Sequence, residues 1–180
     1  MRIRVDEIPE SGRFIHFHWD ERRLGRFLPA DDPFRLRLLH PVNVDLELQK
    51  HPDHVRVMGI IRGSLQLGCH RCLDSFEYAL EEPVDVFLME EEKAPKTEET
   101  ELDEEELDVE FFDGEVIDID RLVAEHIFLA LPFKALCSEN CQGLCPQCGA
   151  NLNKGPCPCE KKRGESPFSH LKTIRSRLPE

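Results

Sequence analysis

The sequence has no apolar stretch of 18 or more residues, and Met1 to Arg4 does not begin a charged-then-apolar leader. Transmembrane helices and secretory signals need such stretches. We therefore expect a soluble cytoplasmic protein with no membrane partner. In that compartment thiols stay reduced, which favours metal binding over disulfide formation.

Motifs of the common catalytic classes are missing as well. The sequence contains no G-x-S-x-G elbow, no phosphate-binding glycine loop and no H-E-x-x-H pair. His16 and His18 share one face of a predicted strand, but nothing nearby supplies a third metal ligand. We expect a protein that is not an enzyme and has no small-molecule substrate.

Cysteine, by contrast, is abundant, with eight residues. Six of them fall between positions 137 and 159, and the other two form the C-x-x-C pair Cys69 and Cys72. The segment from Cys145 to Gly149 has the form of a metal knuckle. Its two intervening residues bring both sulfurs onto one tetrahedral ion, and the glycine permits the sharp turn. Eight thiolates therefore predict two four-sulfur sites.

The spacing of the cysteines favours one local site and one site that joins distant segments. The extended Cys157-Pro158-Cys159 segment holds its β-carbons roughly 6.6 Å apart, which leaves open whether both sulfurs bind. Sites made only of cysteine are closed and structural, since a hydrolytic zinc keeps a position for water. We expect one or two zinc ions, with iron as the alternative because the knuckle also resembles those of rubredoxins. The local site would use Cys145, Cys148, Cys157 and Cys159, and the second site Cys69, Cys72, Cys137 and Cys141.

Charge is distributed unevenly along the chain, which carries −13 overall. Residues 81–120 hold 19 acidic side chains against two lysines and so carry −17, which leaves +4 on the remainder. Residues 154–177 hold seven basic side chains against two acidic ones. Two interpretations are open: a polyanion such as RNA binds at this basic end, or the basic side chains offset the charge of −2 that four thiolates leave on a divalent ion. The residues that we expect to contact RNA are Lys161, Lys162, Arg163, Lys172, Arg175 and Arg177.

Hydrophobic periodicity predicts an α+β fold with an antiparallel sheet or meander and one packed helix. Val42, Val44, Leu46 and Leu48 alternate as the inward face of a strand. In a longer strand over 55–67, two glycines indicate a bulge or a close backbone approach. Further strands are expected at 2–5, 13–19, 73–80 and 84–88.

The second half of the chain contains turn and helix signals. Asp113-Gly114, between two apolar runs, predicts a β-hairpin. Asp118 is suited to cap a helix that Pro132 ends. Ser166-Pro167 predicts the start of a short C-terminal helix.

These elements predict two units. The first is a β-rich core domain over 1–135, which includes an acidic disordered loop at 90–108. The second is a cysteine-rich zinc-binding segment over 136–180 with the basic helix.

Several segments of the chain carry a more specific signal than composition does. They are Cys69-His70-Arg71-Cys72-Leu73, Leu129-Ala130-Leu131-Pro132, Gly143-Leu144-Cys145-Pro146-Gln147-Cys148-Gly149-Ala150, Asn151-Leu152-Asn153 and Ser166-Pro167-Phe168. Together these segments resemble the bacterial YceD family from about Pro41 onward. The resemblance implies a role in the accumulation of large-subunit ribosomal RNA, through maturation or assembly of the large subunit, with no known enzymatic activity.

We therefore expect a non-enzymatic factor for large-subunit ribosomal RNA accumulation and subunit assembly, stabilised by structural zinc. Its partner would be that RNA or an assembly precursor, with a ribosomal protein as a further candidate. Two other interpretations remain open: a zinc-stapled protein-binding adaptor that uses the acidic loop, and a rubredoxin-like iron protein that transfers electrons.

Overall fold

The computed structural model describes residues 1–90 and 109–159. In these residues a six-stranded sheet has the order β2-β4-β5-β6-β7, with β3 added beside β5, and β1 and β8 form a separate pair. The fold is α+β, as predicted. The strands are β1 (Arg2–Arg4), β2 (Arg13–Trp19), β3 (Arg37–Leu38), β4 (Val42–Lys50), β5 (His54–Gly68), β6 (Ser75–Glu90), β7 (Val109–Phe112) and β8 (Val116–Asp118), and the helices are α1 (Glu21–Leu24) and α2 (Ile119–Leu129).

The central strands β4 and β5 confirm the alternating pattern. Val42, Val44, Leu46 and Leu48 are all buried, 2% exposed or less. The close backbone approach predicted for β5 is also present, because a Cβ on Gly59 would lie 2.0 Å from the carbonyl oxygen of Asp45 on β4. Only a residue without a side chain lets the two strands pair there.

Strands β5 and β6 form a long antiparallel hairpin that runs from the pair His54–Met89 to the pair Gly68–Ser75. Cys69 and Cys72 lie at its tip, as predicted. The sequence predicted a return strand over 73–80 and a separate strand over 84–88, but β6 is continuous through Pro83. Proline lacks an N–H, and it is tolerated here because β7 pairs only with Phe87–Glu90 of β6.

The predicted hairpin around Asp113-Gly114 is wrong. The turn itself exists, since the Asp113 carboxylate accepts the N–H groups of Glu115 and Val116. The strands on either side of it do not pair with each other. β7 runs parallel to β6, whereas β8 is antiparallel to β1. The turn therefore passes the chain from one sheet to another.

Helix α2 begins where predicted, with the Asp118 side chain accepting the N–H of Arg121. It packs on β1 and β6. Its apolar side and the inward face of the large sheet form one core, in which each fully buried aliphatic side chain contributes about 1.5 to 3 kcal/mol. The chain leaves this core after α2 and enters the cysteine-rich segment. The fully buried residues of the core include Trp19, Leu48, Ile61, Leu65, Ile119 and Ile127.

Three predicted features lie outside the described residues: the acidic loop, the basic residues proposed to contact RNA, and the C-terminal helix. The acidic loop lies almost wholly in 91–108, and the basic residues and the C-terminal helix lie in 160–180. Within the described part of the chain, no helix has the length and apolar character needed to cross a bilayer.

Candidate metal centres

The eight cysteines lie in two groups of four, and within each group the sulfurs are within 4.8 Å of one another. The membership of the groups is the one that the spacing predicted. Among the described residues, these two groups are the sets of three or more histidine, cysteine or acidic side chains whose ligand atoms all lie within 4.8 Å of one another. We call Cys69, Cys72, Cys137 and Cys141 the sheet group, and Cys145, Cys148, Cys157 and Cys159 the knuckle group.

The sheet group joins the tip of the β5–β6 hairpin to the segment that follows α2. The Sγ atoms of Cys69 and Cys141 are 3.7 Å apart, as are those of Cys72 and Cys137. The N–H of His70 donates to the carbonyl oxygen of Ala135 at 2.8 Å, so the backbone also crosses this joint. The hairpin tip therefore meets the later segment in a fixed orientation.

Arg71 supports the same joint from the side. Its guanidinium donates to the carbonyl oxygens of Glu139 and Cys141 at 3.1 and 2.9 Å, and its backbone N–H lies 3.4 Å from the sulfur of Cys69. The arginine between the two cysteines thus helps to hold the opposite half of the group.

The sulfur separations in the sheet group fit a tetrahedral metal ion. A Zn–S distance of about 2.3 Å in a regular tetrahedron places the sulfurs about 3.8 Å apart. The two 3.7 Å distances match this value and are far longer than a disulfide bond of about 2.05 Å. The donor set suits a closed site for zinc or iron.

The knuckle group is built on a tight turn. Gly149 has a φ of +73°, and its N–H donates to the carbonyl oxygen of Cys145 at 2.9 Å. The N–H of Cys145 in turn donates to the carbonyl oxygen of Ala150 at 2.8 Å. The sulfurs of Cys157 and Cys159 both lie within 4.8 Å of those of Cys145 and Cys148. The structure therefore brings all four sulfurs together, including both from the Cys-Pro-Cys segment.

The pKa values of the thiols differ strongly inside the groups. Burial opposes ionisation of Cys69, but the N–H groups of Cys137, Cys72 and Arg71 outweigh it and lower the pKa to about 6. The N–H groups of Cys148 and Gln147 likewise lower the pKa of Cys145 to about 6. Two main effects raise the pKa of Cys159 to about 12: contact with the Cys148 thiol is the larger and burial is the smaller. Thiolates this close repel one another, and a bound cation removes that repulsion.

Side chains outside the cysteine groups connect them, and the sequence did not identify this role. The amide of Asn153 donates to the sulfur of Cys141 at 3.3 Å and accepts the N–H of Gln142 at 2.8 Å. The amide of Asn151 donates to Asp74 at 2.8 Å, and Lys154 pairs with the same carboxylate at 3.0 Å. The Asn-Leu-Asn run contributed to the family resemblance, but nothing in its pattern indicated these contacts.

The stretch from residue 57 to residue 175 matches the family model described as large ribosomal RNA subunit accumulation protein YceD. The chain belongs to the YceD family. The predicted resemblance is thereby confirmed, and the match includes all eight cysteines.

Three relatives show how far the similarity to the YceD family extends. The Arabidopsis thaliana protein named large ribosomal RNA subunit accumulation protein YCED homolog 1, chloroplastic, is 32% identical over 156 residues, which cover 73% of this chain and 49% of that protein. The Zea mays protein of the same name is 30% identical over 157 residues, covering 74% and 53%. An uncharacterized protein of Mycobacterium tuberculosis is 31% identical over 135 residues, covering 74% and 60%. The chain therefore spans about half the length of its plant relatives, and no solved structure matches it.

Proposed function

We propose that this YceD-family chain is a non-enzymatic factor for the accumulation of large-subunit ribosomal RNA and the assembly of the large ribosomal subunit. The observation that carries the proposal is the family match over residues 57–175, which contains both cysteine groups. The names of the plant relatives describe a role in large-subunit RNA accumulation for those proteins.

Two zinc ions would serve this role as structural cross-links. In the sheet group, an ion would tie the β5–β6 hairpin to the segment after α2. In the knuckle group, it would close the segment from Cys145 to Cys159. Four thiolates leave no open coordination position for a reacting water, which supports a structural rather than a hydrolytic function.

The RNA contact in this proposal comes from the basic residues that follow the knuckle group. Lys161 is two residues after Cys159, so the covalent chain keeps the start of this basic stretch close to the knuckle. Lysine and arginine side chains bind phosphate oxygens and neutralise their charge. The proposed contacts are Lys161, Lys162, Arg163, Lys172, Arg175 and Arg177.

Metal analysis tests the structural part of the proposal. Protein purified under reducing conditions without a chelator should contain close to two zinc ions per chain, and a strong chelator should lower its thermal stability. The same measurement separates the electron-transfer alternative, because an iron-thiolate centre absorbs visible light and zinc does not. A metal content near zero would refute the zinc cross-links.

Co-purification tests the functional part. The full chain should recover large-subunit ribosomal RNA or its precursors from cell extract, and loss of the chain should lower large-subunit RNA relative to small-subunit RNA. Recovery of a protein partner without RNA would instead favour the adaptor interpretation.

A further inference from the structure

The two cysteine groups are adjacent in the structure and share a hydrogen-bonded bridge. One side of the bridge is Asn151 and Asn153, which lie two and four residues after Gly149 of the knuckle. The other side is Asp74, which is two residues after Cys72 of the sheet group. Asn151 also joins its neighbour, since its side-chain oxygen accepts the N–H of Asn153 at 2.9 Å and the amide of the same residue at 3.0 Å.

The amide of Asn153 can fill its place in only one orientation. Its oxygen must face the N–H of Gln142, which needs an acceptor, so its NH₂ group faces the sulfur of Cys141. A hydrogen bond from outside the ligand set orients a metal ligand, so the amide holds the sulfur of Cys141 in place beside the other sulfurs of the sheet group.

The position of Asn153 depends on the knuckle. Leu144 bridges to Asn151, and the N–H of Leu152 donates to the carbonyl oxygen of Gly143 at 2.9 Å. Residues 149–153 therefore fold back along the start of the same loop that carries Cys145. On the other side, this run leads directly to Cys157 and Cys159. An ion in the knuckle group would fix both ends of the segment that presents Asn153.

We propose that the two metal sites are energetically coupled, with Asn153 as the positioning residue that links them. This inference rests on the proposed binding of zinc by both groups. Filling the knuckle group orders residues 149–154, which holds the amide of Asn153 against the sulfur of Cys141 and raises the affinity of the sheet group. Linkage makes the effect reciprocal. Asp74 anchors the same segment through Asn151 and Lys154.

The expected size of the coupling follows from comparable sites. Removal of a partner that hydrogen-bonds a metal ligand typically costs 10- to 100-fold in metal affinity. Coupling between two binding sites typically amounts to a factor of about 5 to 150. Loss of the Asn153 donor should therefore weaken the sheet group by roughly 10- to 100-fold while leaving all eight thiols in place.

The test is a double-mutant cycle on the full chain with Asn153→Asp and Cys148→Ser. Asn153→Asp keeps an acceptor for Gln142 but cannot donate to sulfur. The matched control is Asn140→Asp, which places the same charge on an exposed residue next to Cys141. Zinc affinity is measured by chelator competition. Cadmium NMR, in which each four-thiolate site gives its own resonance, reports which group is filled, and Trp19 fluorescence checks that each variant folds.

Cys148→Ser and Asn153→Asp should each weaken the sheet group by roughly 10- to 100-fold, whereas Asn140→Asp should change its affinity by less than about threefold. Once Asn153→Asp is present, adding Cys148→Ser should have little further effect on the sheet group. Two results would overturn the proposal. One is a sheet group that binds zinc in the Cys148→Ser variant as tightly as in the native chain, and the other is an equal effect of Cys148→Ser on the sheet group in the native and Asn153→Asp backgrounds. A native chain that binds no zinc at all would instead refute the zinc sites themselves.

Discussion

Asp120 joins three parts of the chain that are far apart in sequence. It lies in the first turn of α2, is 6% exposed, and accepts hydrogen bonds from the Trp19 indole at 3.1 Å and from Arg23 at 2.8 Å. The N-terminal amine of Met1 also contacts this carboxylate. Burial raises the pKa of Asp120, but the hydrogen bonds from the amine and from Arg23 outweigh it, so the pKa is held below its usual range. The ionised carboxylate therefore stabilises the fold.

Asp120→Asn should lower the free energy of unfolding at neutral pH by about 1 to 3 kcal/mol, since hydrogen bonds to a charged group are lost. The carboxyl has a lowered pKa in the folded protein. Its contribution is therefore present above the unfolded pKa of about 3.9 and is lost as the pH falls through the lower folded value. The stability difference between the native chain and the variant should shrink below about pH 4. Denaturant unfolding at several pH values measures this.

Asp31→Asn is the matched control, because it makes the same charge change at an exposed position. It should alter stability by less than about 0.5 kcal/mol. Equal effects of the two changes would show that the buried network around Asp120 contributes no more than an exposed carboxylate does.

The cysteines and the asparagines show what the sequence could predict at the scale of single residues. The spacing of the thiols predicted the knuckle group, because short loops can bring its sulfurs to one tetrahedral ion, and the sheet group was then predicted from the four cysteines that remain. The contact of Asn153 with Cys141 could not be predicted. It depends on how residues 149–153 fold back along the knuckle, and no residue pattern specifies that direction.

At the scale of elements, the close pairing of β4 and β5 depends on Gly59. Its φ is +155°, and an added Cβ would lie 2.0 Å from a backbone oxygen that cannot move without breaking the pairing. Gly59→Ala should therefore destabilise the protein by about 2 kcal/mol or more. Thermal unfolding measures the loss. Gly25→Ala is the control, because Gly25 has a φ of −59° and a Cβ there would meet backbone atoms only at 3.5 Å. A similar loss in both variants would contradict this account.

The two cysteine groups should respond separately to mutation when zinc is in excess. Cys72→Ser should increase hydrogen exchange at the His70 amide, which donates to Ala135 across the joint. Cys148→Ser should increase exchange at the amides of Cys145 and Leu152, which hold the knuckle. The physical reason is that each change opens a different cross-link. Hydrogen exchange measured by mass spectrometry or NMR compares the two variants, and identical patterns would mean that the groups do not act as distinct ligand sets.

The elements also differ in how far the sequence specified them. Strand β4 and helix α2 were predicted correctly, because their periodicity records which face each one buries. The hairpin around Asp113-Gly114 was wrong for the opposite reason. The turn signal is local, whereas the pairing of β7 and β8 is decided by β6 and β1, which lie elsewhere in the chain.

Over the whole molecule, the separation of charge gives a test of the proposed RNA contact. Reversal of Lys161, Lys162 and Arg163 to glutamate should weaken RNA binding and flatten its salt dependence. For each phosphate that the variant no longer neutralises, the slope of log affinity against log salt should become shallower by about 0.7 to 0.9. Zinc content should not change, because none of the three is a proposed ligand. RNA binding titrated at several salt concentrations provides the measurement.

The control for that experiment reverses Arg22, Arg26 and Lys50, which are exposed in the described part of the chain. This control makes the same change in net charge, but at positions that precede all eight cysteines in the sequence. If both triple variants bound RNA with the native affinity and salt slope, the basic stretch would serve only to offset the thiolates.

The pairing of β1 with β8 joins segments that are synthesised far apart in time. Ile3 is buried opposite Ile117, which leaves the ribosome roughly 110 residues later, and both strands are only three residues long. At typical translation rates this interval is on the order of 10 s, far longer than a β-hairpin needs to form. The β5–β6 hairpin can therefore form while β1 is still unpaired, because β8 has not yet been synthesised.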